Sequence, residues 1–262
     1  MRPLRLGAVS YLNTKPLVYG LEADAGFVVR FDVPSRCAAL LHAGDVDLGL
    51  IPAIEYLRGD YAMVPDVSIA SDGPVATVAV FARTPIDRVK RLALDVSSKT
   101  SVALTRILCA RHWGIAPAFV PAEPDLEAML ARADAALVIG DPAFAIDPAA
   151  DEVRKIDLGE EWKAMTGLPF VYAMWTGRPD AASSAQCRAL QEARDRGLAH
   201  LDEIARAVSG GDAALERRSL VYLRDNLKFS FGDREQAGLR RFHELAVETN
   251  VMPALKPLRF YG

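Results

Sequence analysis

From Leu4 to Thr176 short apolar runs alternate with stretches of helical periodicity. This alternation restricts the chain to an α/β fold with mainly parallel strands, because each strand is followed by a segment able to cover its sheet. Strand patterns fall at 4–9, 28–32, 48–51, 67–70, 75–82, 92–95, 119–121, 135–139 and 170–176. Helical patterns fall at 34–43, 101–113, 125–132 and 160–166; the first has Pro34 near its start and Gly44 at its stop. From Ser184 onward the pattern is almost entirely helical, at 184–208, 212–225 and 233–249.

Two features suggest two similar lobes. The segment AALLHAGDVDLGLIPAIEYL and the later EAMLARADAALVIGDPAFAI share one order of parts: helix, acidic link, apolar strand, polar turn with proline, helix. Repeated βαβ units produce such an echo even without two lobes. Two long apolar strands, DGPVATVAVFAR and TGLPFVYAMW, each follow Gly and Pro and read as crossings between lobes. With both crossing, lobe one is 1–82 plus 177–262, lobe two is 83–176, and a ligand cleft lies between them.

Composition excludes several classes of function. A net charge of -3 gives no basic field for nucleic acid. No apolar run approaches the ~20 residues of a membrane span. The N-terminal MRPLRLGAVSY lacks the apolar length and cleavage pattern of a secretory leader. Cys37, Cys109 and Cys187 are odd in number, far apart and in helical patterns, so reduced thiols in the cytoplasm are expected. His42, His112, His200 and His243 also sit in helical patterns without metal spacing, and no metal or cofactor is expected. Trp162 and Trp175 read as packing groups.

The first strand ends in SYLNTKPL, with Pro16 where a following helix would begin. Ligands of open α/β sheets bind at the carboxyl ends of strands, so Ser10, Tyr11 and Asn13 are candidate contacts. Asn13 both donates and accepts but has no usable basicity; it also suits an Asx turn. The run LALDVSSKTSVAL joins a strand to a helix through a hydroxyl-rich loop. Ser98, Thr100 and Ser101 at that helix start suit a carboxylate or phosphate, and one of them also suits the N-cap. Walker glycines are absent, which argues against a nucleotide. Thr77 lies in the first crossing strand, where β-propensity alone also explains it. Gly140 and Asp141 follow the strand ADAALVI; Asp141 is open to readings as base, hydroxyl acceptor or N-cap. Ile51 ends the equivalent strand of lobe one and would wall the cleft.

Taken together, SYLNTKPL, GDVDLGLIP, SDGPVATV, SSKTSVAL, VIGDPA and DLGEEWKAMTGLPFVYAMW resemble the chorismate dehydratases of the futalosine route to menaquinone. The resemblance implies a two-lobed type II periplasmic-binding-protein-like fold with a helical C-terminal region, used as a cytoplasmic enzyme. It implies a hydro-lyase that converts chorismate to 3-[(1-carboxyvinyl)oxy]benzoate and water without cofactor. It marks Asn13, Thr77 and the 98–101 loop as cleft residues, with Asn13, Thr77 and Asp141 as the catalytic candidates. Two bases are open, Asp141 and the substrate's own enolpyruvyl carboxylate; the second is favoured because a neutral Asn-and-hydroxyl site does not compete with it. The alternatives are the naphthoate-forming enzyme of the same pathway and a non-catalytic solute-binding protein. Oligomeric state stays open.

Overall fold

The computed structural model describes residues 2–262, among which ten strands form two five-stranded sheets. The first sheet contains β1 (Leu4–Val9), β2 (Phe27–Asp32), β3 (Leu48–Pro52), β4 (Ala62–Ser71) and the late strand β10 (Phe170–Gly177), in the order β2-β1-β3-β10-β4. The second contains β5 (Val78–Ala82), β6 (Arg91–Asp95), β7 (Ala118–Ala122), β8 (Ala135–Ile139) and β9 (Arg154–Asp157), in the order β7-β6-β8-β5-β9. The two orders are equivalent. In each, one strand pairs in parallel with two neighbours, and a strand of opposite direction follows.

The internal echo falls on equivalent places. Its first copy is α1 (Pro34–Ala43), β3 and a 3-10 turn at Ala53–Arg58; its second is α3 (Leu126–Leu130), β8 and α4 (Gly140–Ala145). Between these lies α2 (Lys99–Arg111), and α5 (Leu158–Thr166) precedes β10.

The lobe boundaries differ from those expected at 82 and 176. Strand β5 pairs wholly within the second sheet and β10 wholly within the first. A long buried strand satisfies its backbone groups only inside one ladder, so it cannot itself be the passage. The chain passes between sheets at 72–77 and 167–169, where Gly73 (φ 134°) and Gly167 (φ 72°) make the turns. The first passage is pinned: the Asp157 carboxylate accepts from the N–H groups of Val75 (3.0 Å) and Ala76 (2.7 Å).

Strand β9 carried no recognisable apolar signal. It is a four-residue edge strand, RKID, with two exposed charged residues, which is how edges avoid unwanted pairing.

The C-terminal region forms α6 (Ser184–Ala199), α7 (Leu201–Ser209), α8 (Ala213–Val221), a π-helical turn at Tyr222–Asn226 and α9 (Asp233–Glu248). Helix α6 lies so close to the segment after β1 that a Cβ on Gly197 would sit 2.1 Å from the Pro16 carbonyl oxygen. Beside the second passage, Trp162, Phe170 and Phe242 form an edge-to-face aromatic cluster with centroids 4.9–6.1 Å apart. Trp162 and Trp175 are both completely buried.

Candidate active site

The carboxyl ends of β1, β3, β6 and β8 face one another across a narrow cavity. After β1 the chain makes a 3-10 helix, Leu12–Val18, with Pro16 inside it rather than at the start of an α-helix. This tight coil leaves Tyr11 extended and places both Tyr11 and Asn13 on the cavity wall. Pro52 at the end of β3 and Tyr172 of β10 complete the wall of lobe one.

Lobe two contributes the start of α2. Ser98 is its N-cap: Ser98 Oγ accepts from the Ser101 backbone N–H at 3.4 Å and lies 3.1 Å from Ser101 Oγ. Both side chains line the cavity, and Ser98 is at the same time the cap. The unpaired N–H groups of a 13-residue helix add partial positive charge at the same place. Beneath them the buried Asp95 carboxylate accepts from the N–H groups of Ser97 (2.8 Å) and Ile139 (3.3 Å), tying the tips of β6 and β8 together. Burial raises its pKa, and those N–H donors oppose the rise.

Behind the cavity sits a residue that the sequence did not mark. The Tyr222 hydroxyl lies 2.9 Å from Thr77 Oγ1, with the Asn13 side chain beside it. Burial pushes this phenol far above its ordinary range, and the bond to Thr77 and the neighbouring Asn13 amide oppose the shift in part. Tyr222 thus ties the C-terminal region to Thr77, at the end of the first passage between the sheets, next to Asn13. It opens the π-helical turn after α8, a distortion frequent at functional sites. Tyr172, likewise unmarked in the sequence, places its hydroxyl 3.0 Å from Ser71 Oγ.

A seam closes one side. The Leu12 N–H donates to Asp141 Oδ1 at 3.1 Å, joining the β1 tip to the β8 tip. Gly140 has φ 68°, and a Cβ there would lie 2.5 Å from the Tyr11 ring. Only glycine fits both the turn and the ring.

Of the expected residues, Tyr11, Asn13, Thr77, Ser98, Ser101 and Gly140 therefore meet at one cavity. Four do not. Ser10 and Asp141 line a separate cavity across the seam, because successive residues of the two tips face opposite ways. Thr100 is buried with its hydroxyl turned to lobe one, accepting from the Ile54 N–H at 3.1 Å. Ile51 is completely buried, its side chain packed over Gly49, and the wall position falls to Pro52. Asp141 is solvent-facing over much of its surface, yet its carboxyl is shielded enough for desolvation to raise its pKa. Among the described residues lining the inner cavity, none carries a charge.

Comparison with known proteins agrees with this architecture. The sequence model of a family described as menaquinone biosynthesis matches residues 4–248. A chorismate dehydratase of Thermus thermophilus is 32% identical over 262 residues, covering 93% of this chain and 95% of that protein. A chorismate dehydratase of Campylobacter jejuni is 29% identical over 166 residues, or 63% of this chain and 60% of that one. Among solved structures, an Archaeoglobus fulgidus protein superposes with a TM-score of 0.77 at 16% identity, covering 96% of this chain and 99% of its own. A Candida albicans protein described as having the generic periplasmic-binding-protein fold superposes at 0.66 and 11% identity, covering 98% and 92%. These structural likenesses establish a two-lobed periplasmic-binding-protein-like fold.

Proposed function

The chain belongs to the menaquinone-biosynthesis family, and from that premise we propose that it is a chorismate dehydratase, a hydro-lyase of the futalosine route. Chorismate loses its C4 hydroxyl and C3 proton, the ring becomes aromatic, and the enolpyruvyl ether is retained in 3-[(1-carboxyvinyl)oxy]benzoate. The observation that carries the reading is the uncharged cavity with hydroxyl and amide donors at a helix N-terminus.

Ser98, Ser101 and the free N–H groups of α2 hold the ring carboxylate by charge-assisted bonds. Asn13 and Thr77 face the leaving hydroxyl, fixed in position by Tyr222. The Asn13 amide N–H groups and the Thr77 hydroxyl donate to the departing oxygen, where negative charge develops. The C3 proton goes to the substrate's own enolpyruvyl carboxylate, since no lining residue of the cavity is a base near neutral pH. Hydroxide leaves C4, recovers that proton and departs as water. Aromatisation supplies the driving force, so the protein's work is orientation and exclusion of water.

We place the reaction in the cytoplasm. The three cysteines are free and buried, and no helix among the described residues is long and apolar enough to cross a membrane. The direct test is to incubate purified protein with chorismate alone and follow benzoate absorbance and ring protons. Conversion to the enolpyruvyl benzoate supports the reading. Chorismate left intact by folded protein rejects it, and saturable binding without turnover favours a solute-binding role instead.

A further inference from the structure

Across the seam from the inner cavity lies a larger one of about 470 Å³. The two are separated only by the β1 and β8 tips: Tyr11 and Gly140 face inward, while Leu12 and Asp141 face outward. The inner wall is neutral, and the outer wall is not. Lys15 and Arg218 line the outer chamber, and neither forms a salt bridge among the described residues. The Ser219 hydroxyl also lines it, completely buried and without a hydrogen-bond partner. The lone carboxylate on the wall, Asp141, is already engaged by the Leu12 N–H. Around Arg218 the positive charge continues into a neighbouring groove with Lys155 and Arg217. Two cations thus line the chamber and two more line the groove beside it, in a chain whose net charge is -3. Phe144 and Leu215 give the chamber an apolar side suited to a ring.

We propose that this outer chamber is a second binding site, a port in which a small ring-bearing dicarboxylate docks on Lys15, Arg218 and Ser219 before crossing the Leu12–Asp141 seam. The proposal rests on the reading of the inner cavity as the site for chorismate. Its logic is a division of labour. A cavity of neutral donors orients a dianion without a competing charge, but it attracts that dianion poorly from solution. Cations placed outside the reaction site supply the attraction, raising encounter rates through their field. The seam is the door, being one hydrogen bond and one tyrosine–glycine contact between the lobes.

The test uses the full chain with charge reversals Lys15→Glu and Arg218→Glu. A control, Arg240→Glu, makes the same change in net charge on the exposed face of α9. Steady-state kcat/KM for chorismate is measured across ionic strength, together with the single-turnover rate at saturating substrate. Both port variants should lower kcat/KM by roughly tenfold at low salt and flatten its salt dependence, with the single-turnover rate unchanged. Arg218 also donates to the Phe144 carbonyl oxygen at 2.5 Å and stacks on the Phe144 ring. If its reversal perturbs folding, Lys15→Glu, which touches neither group, decides alone. Losses no larger than those of Arg240→Glu, with the wild-type salt slope, overturn the port. Should folded wild-type protein leave chorismate intact, the reading of the inner cavity fails and the port is judged separately. Benzene-1,3-dicarboxylate is then the probe: about tenfold weaker binding to both port variants supports the port, and equal affinity overturns it.

Discussion

Asn13 shows how much one neutral side chain can decide. It faces the cavity beside the Tyr222 hydroxyl and Thr77, and brings no charge to a site proposed for a dianion. Asn13→Ala should lower kcat by at least a hundredfold while thermal unfolding stays within a few degrees, since a cavity-facing amide supports little core. Asn13→Asp is nearly isosteric but adds a negative charge and a base. Substrate binding should weaken, and the new carboxylate should activate water against the enol ether, so pyruvate release measured alongside dehydration reports the change. Clean dehydration at the wild-type rate in Asn13→Asp would make Asn13 peripheral. Gly140 is decisive for a different reason. Gly140→Ala must place a methyl where the Tyr11 ring already lies and hold alanine at φ 68°, so it should lose both turnover and several degrees of Tm.

At the level of elements, the start of α2 carries the proposed anion site and the π-helical turn carries Tyr222. Ser101→Ala removes one hydrogen bond to a charged group, worth roughly 1.5–3 kcal/mol, and should weaken substrate binding by tens of fold. Unchanged affinity by titration would move the carboxylate elsewhere. Tyr222→Phe leaves the Thr77 hydroxyl without its partner. It should lower kcat about ten- to a hundredfold with a smaller change in KM, because orientation rather than attraction is lost. Legibility differed between these elements for physical reasons. The tips at Asn13 and Ser98 announce themselves, because a polar break after an apolar strand marks a carboxyl end. Tyr222 lies in an amphipathic helical stretch, where one buried tyrosine resembles every other core residue; only its bond to Thr77, 145 residues away in the chain, gives it a role. Thr100 and Asp141 shared the local pattern of their neighbours, and sequence carries no record of which way successive side chains turn. Ile51 was displaced for a similar reason, the period-two alternation putting Pro52 on the cavity side.

For the molecule as a whole, the two-lobed plan was readable because the same helix–strand–turn unit occurs twice, at 38–57 and 127–146. The passages were not readable to the residue, because a strand that crosses and a strand that merely follows a crossing have the same composition. Assembly of the lobes against the helical region leaves a pH-sensitive group deep in the structure. His243 of α9 is buried, stacks on the Tyr56 ring at 6.0 Å, and meets the Ala53 carbonyl oxygen at 3.1 Å through Nε2. That contact requires a proton on Nε2, so Nδ1 is the bare nitrogen, and it has no partner. Protonating Nδ1 would bury both a charge and an unpaired donor. Burial accordingly lowers its pKa from 6.5 to about 4, against the opposing bond to Ala53. An unfolded chain regains the ordinary value, so as pH falls below about 6.5 the unfolded state takes up a proton that the folded state refuses. Stability is full above that value, declines between about 6.5 and 4, and loses no more from this group once the folded imidazole also protonates. A fall from 6.5 to about 4 corresponds to roughly 3 kcal/mol. Asp47 acts lower on the scale. Burial opposes its ionisation, but side-chain and backbone donors of Arg5, together with Arg2, hold its pKa at about 2. Its contribution is present above the ordinary carboxylate range and disappears only as pH falls toward 2. Denaturant unfolding of the full chain between about pH 7 and pH 4 should therefore show a loss dominated by His243. His243→Gln offers a non-titrating amide to Ala53; it should be less stable at neutral pH, through lost stacking, yet nearly flat over the same range. If the variant keeps the wild-type slope, the acid sensitivity belongs to another group and His243 is already charged in the folded protein.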